Sequence, residues 1–308
     1  MIANILLTAS QVGTLFLMMG VGFALAKWNK LTPAGVSQMS LLLLNVATPC
    51  IIMDALQVER TGALLQAMRL GAVLMLGIYL LWMVLSPLLF RRLDEGARTV
   101  LQFGMIYGNT GFMGLPLIQA VLGTEALVFA TTPYILFNVL SWSHGVAVIG
   151  GRANISAKKL LLNPGILGSA AGLALFFLNL RLPPLAGDAV HYLGSLNTPL
   201  AMVVIGAQMA GTDLAATFRS AKLYVASAMR LVVFPLTALL LLLPLHLDPL
   251  MYATYVILAA TPTAGVTAIF AQQYQRDTAA AAQLITLSTL LCVATLPAFA
   301  ALAQALGG

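Results

Sequence analysis

The residues of this 308-residue chain whose types and spacing could do chemistry lie at two interruptions of apolar sequence. One reads Gly108-Asn109-Thr110-Gly111-Phe112-Met113-Gly114-Leu115-Pro116; the other reads Thr261-Pro262-Thr263-Ala264-Gly265. Pro116 and Pro262 remove backbone donors, and Gly108, Gly114 and Gly265 raise the cost of helix. Each stretch predicts a helix broken in mid-course. The second half of a broken helix begins with free amide donors and about half a positive charge. An anion binds there without a formal cation. Two such ends, one following Asn109 to Gly114 and one following Pro262 to Gly265, suit a carboxylate. The opposite ends present carbonyls, which suit Na⁺ or a polar donor. Candidate substrate contacts are therefore Asn109, Thr110, Gly111, Thr261, Pro262, Thr263 and Ala264. Asn109 either touches the ligand or caps the broken helix, and the two roles coexist.

Other polar residues in apolar runs extend this set. Arg230 and Arg69 are charges within membrane-type segments, where a guanidinium fork matches a carboxylate. The alternative is that both snorkel to the interface, since each lies near a segment end. Asn45 and Asn197 precede prolines and either line a cavity or bond between helices. Asn138 and His144, with Thr286 and Ser288, could face the same site. A histidine there either bonds a neighbouring helix or relays a proton. Among nine acidic residues none sits clearly at mid-membrane; Asp54 is the deepest. Asp54 and His144 are the coupling candidates. Without them, either Na⁺ binds at the breaks or transport is uncoupled.

The elements that position these residues follow from composition. The chain is 60% hydrophobic and 8% charged, against about 25% charged in a soluble domain. This is a polytopic membrane protein, without a loop long enough for a separate soluble domain. Net charge is +6, but its basic residues lie in short loops, a pattern of membrane orientation and not of nucleic-acid binding. Ala24-Leu25-Ala26 resembles a cleavage site, but no basic residue precedes Lys27, so residues 3–26 read as a membrane helix. Cys50 and Cys292 are packing residues, too few for a disulfide framework. No metal site or cofactor is expected.

Ten apolar segments run 3–26, 34–56, 64–90, 99–122, 126–150, 160–180, 189–210, 221–243, 249–272 and 278–304. Eleven basic residues fall in the loops on one side and two on the other. The positive-inside rule then places both termini outside the inner (plasma) membrane, periplasmic in a bacterium. The halves repeat. Asn45-Val46-Ala47-Thr48-Pro49 is echoed by Asn197-Thr198-Pro199, and Ala67-Met68-Arg69-Leu70 by Ala228-Met229-Arg230-Leu231. The two breaks correspond, and each broken segment ends in a turn with a capping look, Thr124-Glu125 and Asp277-Thr278. Five spans per half is odd, so the second half lies inverted. Residues 1–150 form the first repeat and 151–308 the second. Inverted repeats with paired broken helices are a plan of secondary transporters.

The run GNTGFMGLPL followed by Gly123-Thr124-Glu125 resembles the auxin efflux carrier family, which includes bacterial organic-acid carriers and plant auxin exporters. The resemblance covers all ten segments. It implies an all-α fold with segments 4 and 9 crossing at mid-membrane, akin to the bile-acid symporter fold. Segments 1, 2, 6 and 7 would form a scaffold, and segments 3–5 and 8–10 a transport domain. A homodimer through the scaffold is implied as well. Plant members carry an asparagine near their second break, where this chain has Thr261, Thr263 and Thr267, and the long loop of many plant members is absent. Both differences argue against auxin. The expected activity is elevator-type carriage of a small organic anion such as malonate or malate, with lipid, and H⁺ or Na⁺, as partners. Three rivals stand beside it. One is a Na⁺ symporter of a larger amphipathic anion. Another is an anion sensor that does not transport. The third is a membrane enzyme, which lacks any Ser–His, Cys–His, paired-acid or HExxH constellation at the breaks.

Overall fold

Short polar side chains that accept an orphan amide start most of the helices. Thr32 Oγ1 accepts from Gly35 N at 3.2 Å, Thr61 Oγ1 from Leu64 N at 3.1 Å, and Asp94 Oδ2 from Ala97 N at 2.9 Å. Asn163 Oδ1 accepts from Ile166 N at 3.2 Å, Asp248 Oδ1 from Leu250 N and Met251 N at 3.0 Å, and Asp277 Oδ1 from Ala280 N at 2.8 Å. Each such cap contributes about 1 kcal/mol. Pro33, Pro164 and Pro249 follow three of them, at the position where a missing N–H costs nothing.

The computed structural model describes the backbone of residues 2–307 and the side chains of 9–307. Its main helices are α1 (Ile2–Lys27), α2 (Pro33–Ala55), α3 (Gly62–Leu88), α4 (Glu95–Ile106), α5 (Thr110–Leu122), α6 (Thr124–Gly150), α7 (Pro164–Phe177), α8 (Pro184–Ala210), α9 (Ala221–Leu245), α10 (Pro249–Ala259), α11 (Val266–Gln273) and α12 (Thr278–Gly307), with short helices at Ala157–Leu161 and Leu214–Arg219. Seven of these are long and apolar enough to cross a membrane; α5, α7 and α10 are shorter apolar helices. Leu17, Val73 and Val84 are 75%, 68% and 72% exposed, an apolar exterior that suits lipid and not water.

Every anticipated apolar segment falls on helix, with three local corrections. Segment 6 is interrupted at Asn163, because that residue caps a new helix and Pro164 cannot continue the old one. Pro183-Pro184 opens α8 and is not merely a turn, so the helix starts five residues earlier than its apolar run. The cap expected at Thr124-Glu125 is not made: Gly123 turns at φ +92° and a tight turn follows with no side-chain acceptor.

The helices pack in two groups. α1 crosses α8 with backbones in contact, since a Cβ on Gly206 would coincide with Met19 O and one on Gly22 with Val203 O. α2 lies against α7 and α8, where Cβ atoms on Gly168 and Gly194 would fall 2.5 Å from Pro49 Cβ and 3.0 Å from Ile51 N. Asn197 Nδ2 donates to Thr48 Oγ1 at 2.8 Å, so the two echoed Asn/Thr-Pro motifs meet each other. The second group gathers α3, α4, α6 and α9–α12 around Tyr79, Trp82, Phe103, Tyr107, Phe234, Tyr255 and Phe270. Arg276 clips one end of it, donating to Ile149 O and Glu95 Oε1 at 2.8 Å each.

Candidate functional site

α4 ends at Ile106 and α10 at Ala259, and the chain resumes helix at Thr110 and Val266. Between them the two extended stretches pair as an antiparallel bridge centred on Gly108 and Thr263. Asn109 N donates to Pro262 O at 2.7 Å and Ala264 N to Tyr107 O at 3.0 Å. Gly108 and Pro262, which disfavour helix, thus leave two short extended stretches that bond each other. Gly114 and Pro116, expected at the first break, instead lie within α5, because a proline in the first turns of a helix forgoes little. That is how buried irregular backbone survives without water.

One side chain spans both carbonyl ends. Arg230, 1% exposed, donates Nε to Thr261 O at 2.8 Å, Nη1 to Ile106 O at 3.1 Å, and Nη2 to Ala259 O at 3.0 Å and Thr261 Oγ1 at 3.3 Å. Its guanidinium carbon lies 4.4 Å over the Phe234 ring, one helical turn on. Four of its five N–H groups are therefore committed to the crossing, leaving one for any ligand. Gly108 makes room for it: a Cβ there would coincide with Arg230 Nη2 and lie 2.6 Å from Cζ and from Thr261 Oγ1.

Beyond the bridge the chain resumes helix with two amide ends, at the starts of α5 and α11. Asn109 caps α5, its Oδ1 accepting from Phe112 N at 3.1 Å, while Nδ2 has no partner among the described residues. Gly111 N, Gly265 N and Val266 N likewise have no acceptor among them. Space is open at Gly265, where a Cβ would meet nothing within 4 Å. Thr110 Oγ1 is buried without a partner. The start of α5 packs on α8, and Thr198 Oγ1 donates across to Gln119 Oε1 at 3.3 Å, which joins α5 to the first helix group.

The other predicted residues divide. Thr263 Oγ1 donates to Gly104 O at 3.0 Å, and Thr263 N donates to Ser288 Oγ at 3.1 Å. Thr261 Oγ1 and Thr267 Oγ1 donate to Leu258 O and Ala264 O, both at 2.7 Å. The Thr261 and Thr267 hydroxyls fasten the second break internally, and that of Thr263 ties it to α4. Asn138 is buried, with Nδ2 on Tyr134 O at 3.0 Å. Thr286 Oγ1 reaches Thr212 Oγ1 at 3.0 Å. Asn45 is exposed and returns Nδ2 to Leu41 O at 2.8 Å. Arg69 is exposed, in an apolar groove with Leu65, Thr132, Ile135 and Phe177. Asp54 Oδ2 pairs with His191 Nδ1 at 2.9 Å, both partners well exposed.

His144 contacts the crossing at one remove. Its Nδ1 lies 2.9 Å from Tyr107 Oη, which is also 3.0 Å from Leu140 O. The single phenol proton serves either Leu140 O or His144 Nδ1, so the direction of the Tyr107–His144 bond follows the histidine tautomer. Asn45, Thr110, His144 and Arg230 each lie in a one-turn π-type widening of their helix. Such widenings gather at functional sites. The free amides at Gly265 and Val266 lie where the sequence places a helix start, after Pro262. The Tyr107–His144 link escaped sequence reading, because it joins residues 37 apart in sequence.

An all-helical body with an apolar exterior and broken backbone at its centre defines a polytopic membrane protein of the broken-helix type. Comparison with known proteins gives its family. The membrane transport protein family model matches residues 8–154 and again residues 151–300. The chain belongs to this family, the auxin efflux carriers. It is 29% identical over 219 residues to a Rhizobium meliloti (strain 1021) protein named "Putative malonate transporter", covering 67% of this chain and 68% of that one. It is 26% identical over 285 residues to a protein of Methanothermobacter thermautotrophicus named "Uncharacterized transporter", covering 90% and 92%.

Proposed function

We propose that the protein is a secondary carrier of a small organic carboxylate, of the malonate or malate kind, with its anion site on the amide side of the crossing. The observation that supports this reading is that the carbonyl ends of the crossing are taken and its amide ends are free. Arg230 occupies the carbonyl ends, and Gly111 N, Gly265 N, Val266 N and Asn109 Nδ2 stand without acceptors at the helix starts. Two helix starts supply about half a positive charge each, together matching one carboxylate. Ten crossings in two inverted five-helix repeats accommodate the double family match and the paired breaks. α1, α2, α7 and α8 form the scaffold and the remaining helices the moving domain, which carries the crossing between the two sides as an elevator. Both termini lie outside the inner membrane, by the loop charges. A homodimer forms through the scaffold. The relative named for malonate supports a small dicarboxylate and comes to this chain by similarity only.

His144 is the proton-coupling candidate that the geometry favours, because its hydrogen bond ends on a residue of the bridge; Asp54 lies with His191 at the far end of α2. The test is flux of radiolabelled malonate, malate and indole acetate into proteoliposomes at a set potential, wild type against Asn109→Ala. Saturable flux of a small dicarboxylate, reduced in the variant, is expected. Absence of flux for every anion with the protein folded would refute the reading and favour a sensor.

A further inference from the structure

Arg230 is, among the described residues, the one buried side chain that carries a formal charge, and it has no acid for a partner. A buried cation is costly unless compensated. Its compensation is the backbone: Ile106 O ends α4, and Ala259 O and Thr261 O end α10. Two helix ends of about −0.5 each sum to about one negative charge, which one guanidinium neutralises. In transporters with broken helices, unwound carbonyls and half-helix C-terminal ends are where a driving Na⁺ or H⁺ is held. We propose that Arg230 is a tethered cation filling that place, so that the carbonyl face of the crossing takes up no Na⁺ and transport runs without it.

Three features make this more than a buried arginine. The contacts are oxygen atoms arranged around the charge, as a cation site requires. Gly108 is bare where any side chain would displace the guanidinium. The π-type turn at 229–233 moves Arg230 out of regular helix register, and Phe234 closes the remaining face. The sequence echo of Arg230, Arg69, has none of these: it is exposed and without a hydrogen bond among the described residues.

The inference rests on the carrier reading for its transport consequence and not for its binding consequence, and the experiment separates them. Purified full-length protein is melted in choline, Na⁺, methylguanidinium and tetramethylammonium chlorides, as wild type, Arg230→Ala and Arg230→Lys. Wild type and Arg230→Lys should melt alike in Na⁺ and choline. Arg230→Ala should melt lower, and its midpoint should rise in methylguanidinium or Na⁺ but not in tetramethylammonium, which is too large and cannot donate. A wild-type midpoint that rises with Na⁺ relative to choline overturns the proposal, as does a folded Arg230→Ala indifferent to every cation. If Arg230→Ala does not fold, Arg230→Lys decides: a Na⁺ response in the lysine variant overturns it. Malonate flux in the same liposomes is the second readout. Flux of wild type should be equal in Na⁺ and choline, and flux of Arg230→Ala should return with methylguanidinium. No flux of malonate at all would sink the carrier reading while leaving the melting result to judge the tethered cation.

Discussion

Replacing Gly265 with alanine separates folding from binding. Gly265 has φ −60° and ψ −26°, ordinary helical backbone that alanine adopts freely. Its Cβ would meet nothing within 4 Å. On stability alone Gly265→Ala should therefore be neutral or gain about 0.4–1 kcal/mol, because the unfolded chain loses freedom. On binding the outcome is opposite. A helical Cβ tilts toward the helix N-terminus, so the methyl enters the open space before the Gly265 and Val266 amides. A carboxylate docked there would lose at least one charge-assisted hydrogen bond, worth about 1.5–3 kcal/mol. That corresponds to a rise in KM of about 10- to 100-fold. Saturation curves of malonate flux in proteoliposomes, with melting midpoints on the same preparations, read both quantities. An unchanged KM in a variant that melts at or above the wild-type midpoint would mean the substrate does not touch this helix start.

Substitutions at Asn109, Gly108 and His144 probe the same centre, with Asp54 as the control. Asn109→Ala should lose the α5 cap, about 1 kcal/mol, together with flux. Asn109→Asp caps equally well but sets a negative charge at the anion site, so it should melt like wild type and still lose flux; equal flux in Asn109→Asp would reduce Asn109 to a cap. Gly108→Ala must expel the Arg230 guanidinium and should destabilise by about 3 kcal/mol or more, visible as a lowered melting midpoint, since hydrogen bonds to a charged group are worth about 1.5–3 kcal/mol each. His144→Gln should flatten the pH profile of flux while Asp54→Asn leaves it unchanged. The Asp54–His191 pair is 37% and 57% exposed and contributes at most about 1 kcal/mol to stability.

Which parts were legible in sequence follows from how locally each is specified. Both helix breaks were readable, because Gly108 and Pro262 act on their own backbone; Pro116 sits inside α5 and interrupts nothing. Their pairing through Gly108 and Thr263 joins residues 155 positions apart, and no local rule supplies it. The motif echo pointed at Asn197 and Thr48, which do meet, but it equated Arg69 with Arg230, which differ in every contact. Sequence assigns a charge to a segment and not to a face. What separates the two arginines is the π-type turn under Arg230 and the bare Gly108 opposite it. Thr261 and Thr263 stand in the sequence as ligand contacts because they flank the second break. In the structure Thr261 gives its proton to Leu258 O in its own helix end, a local bond common for threonine, and Thr263 gives its proton to Gly104 O of α4, a long-range bond that no local rule supplies.

The charge arithmetic of the crossing bears on direction. Helix ends of about +1 and −1 in sum cancel. The empty crossing then carries the single positive charge of Arg230. A bound monoanion brings it to zero, and a dianion to −1. With the cell interior negative, the empty domain is drawn inward and a dianion-loaded domain is driven outward, each by about 2.3 kcal/mol per 100 mV for a full charge crossing the membrane. Both steps of an export cycle run downhill, and uptake of a dianion must climb both. A carrier built around a fixed Arg230, with no Na⁺ to bring in, is on this account an exporter unless protons pay for the reverse. Preloaded vesicles with an outward-positive potential should therefore empty faster than the same vesicles at zero potential. Loss of that acceleration in wild type would mean that no net charge leaves with the substrate, as when protons accompany the anion, and would remove the bias toward export.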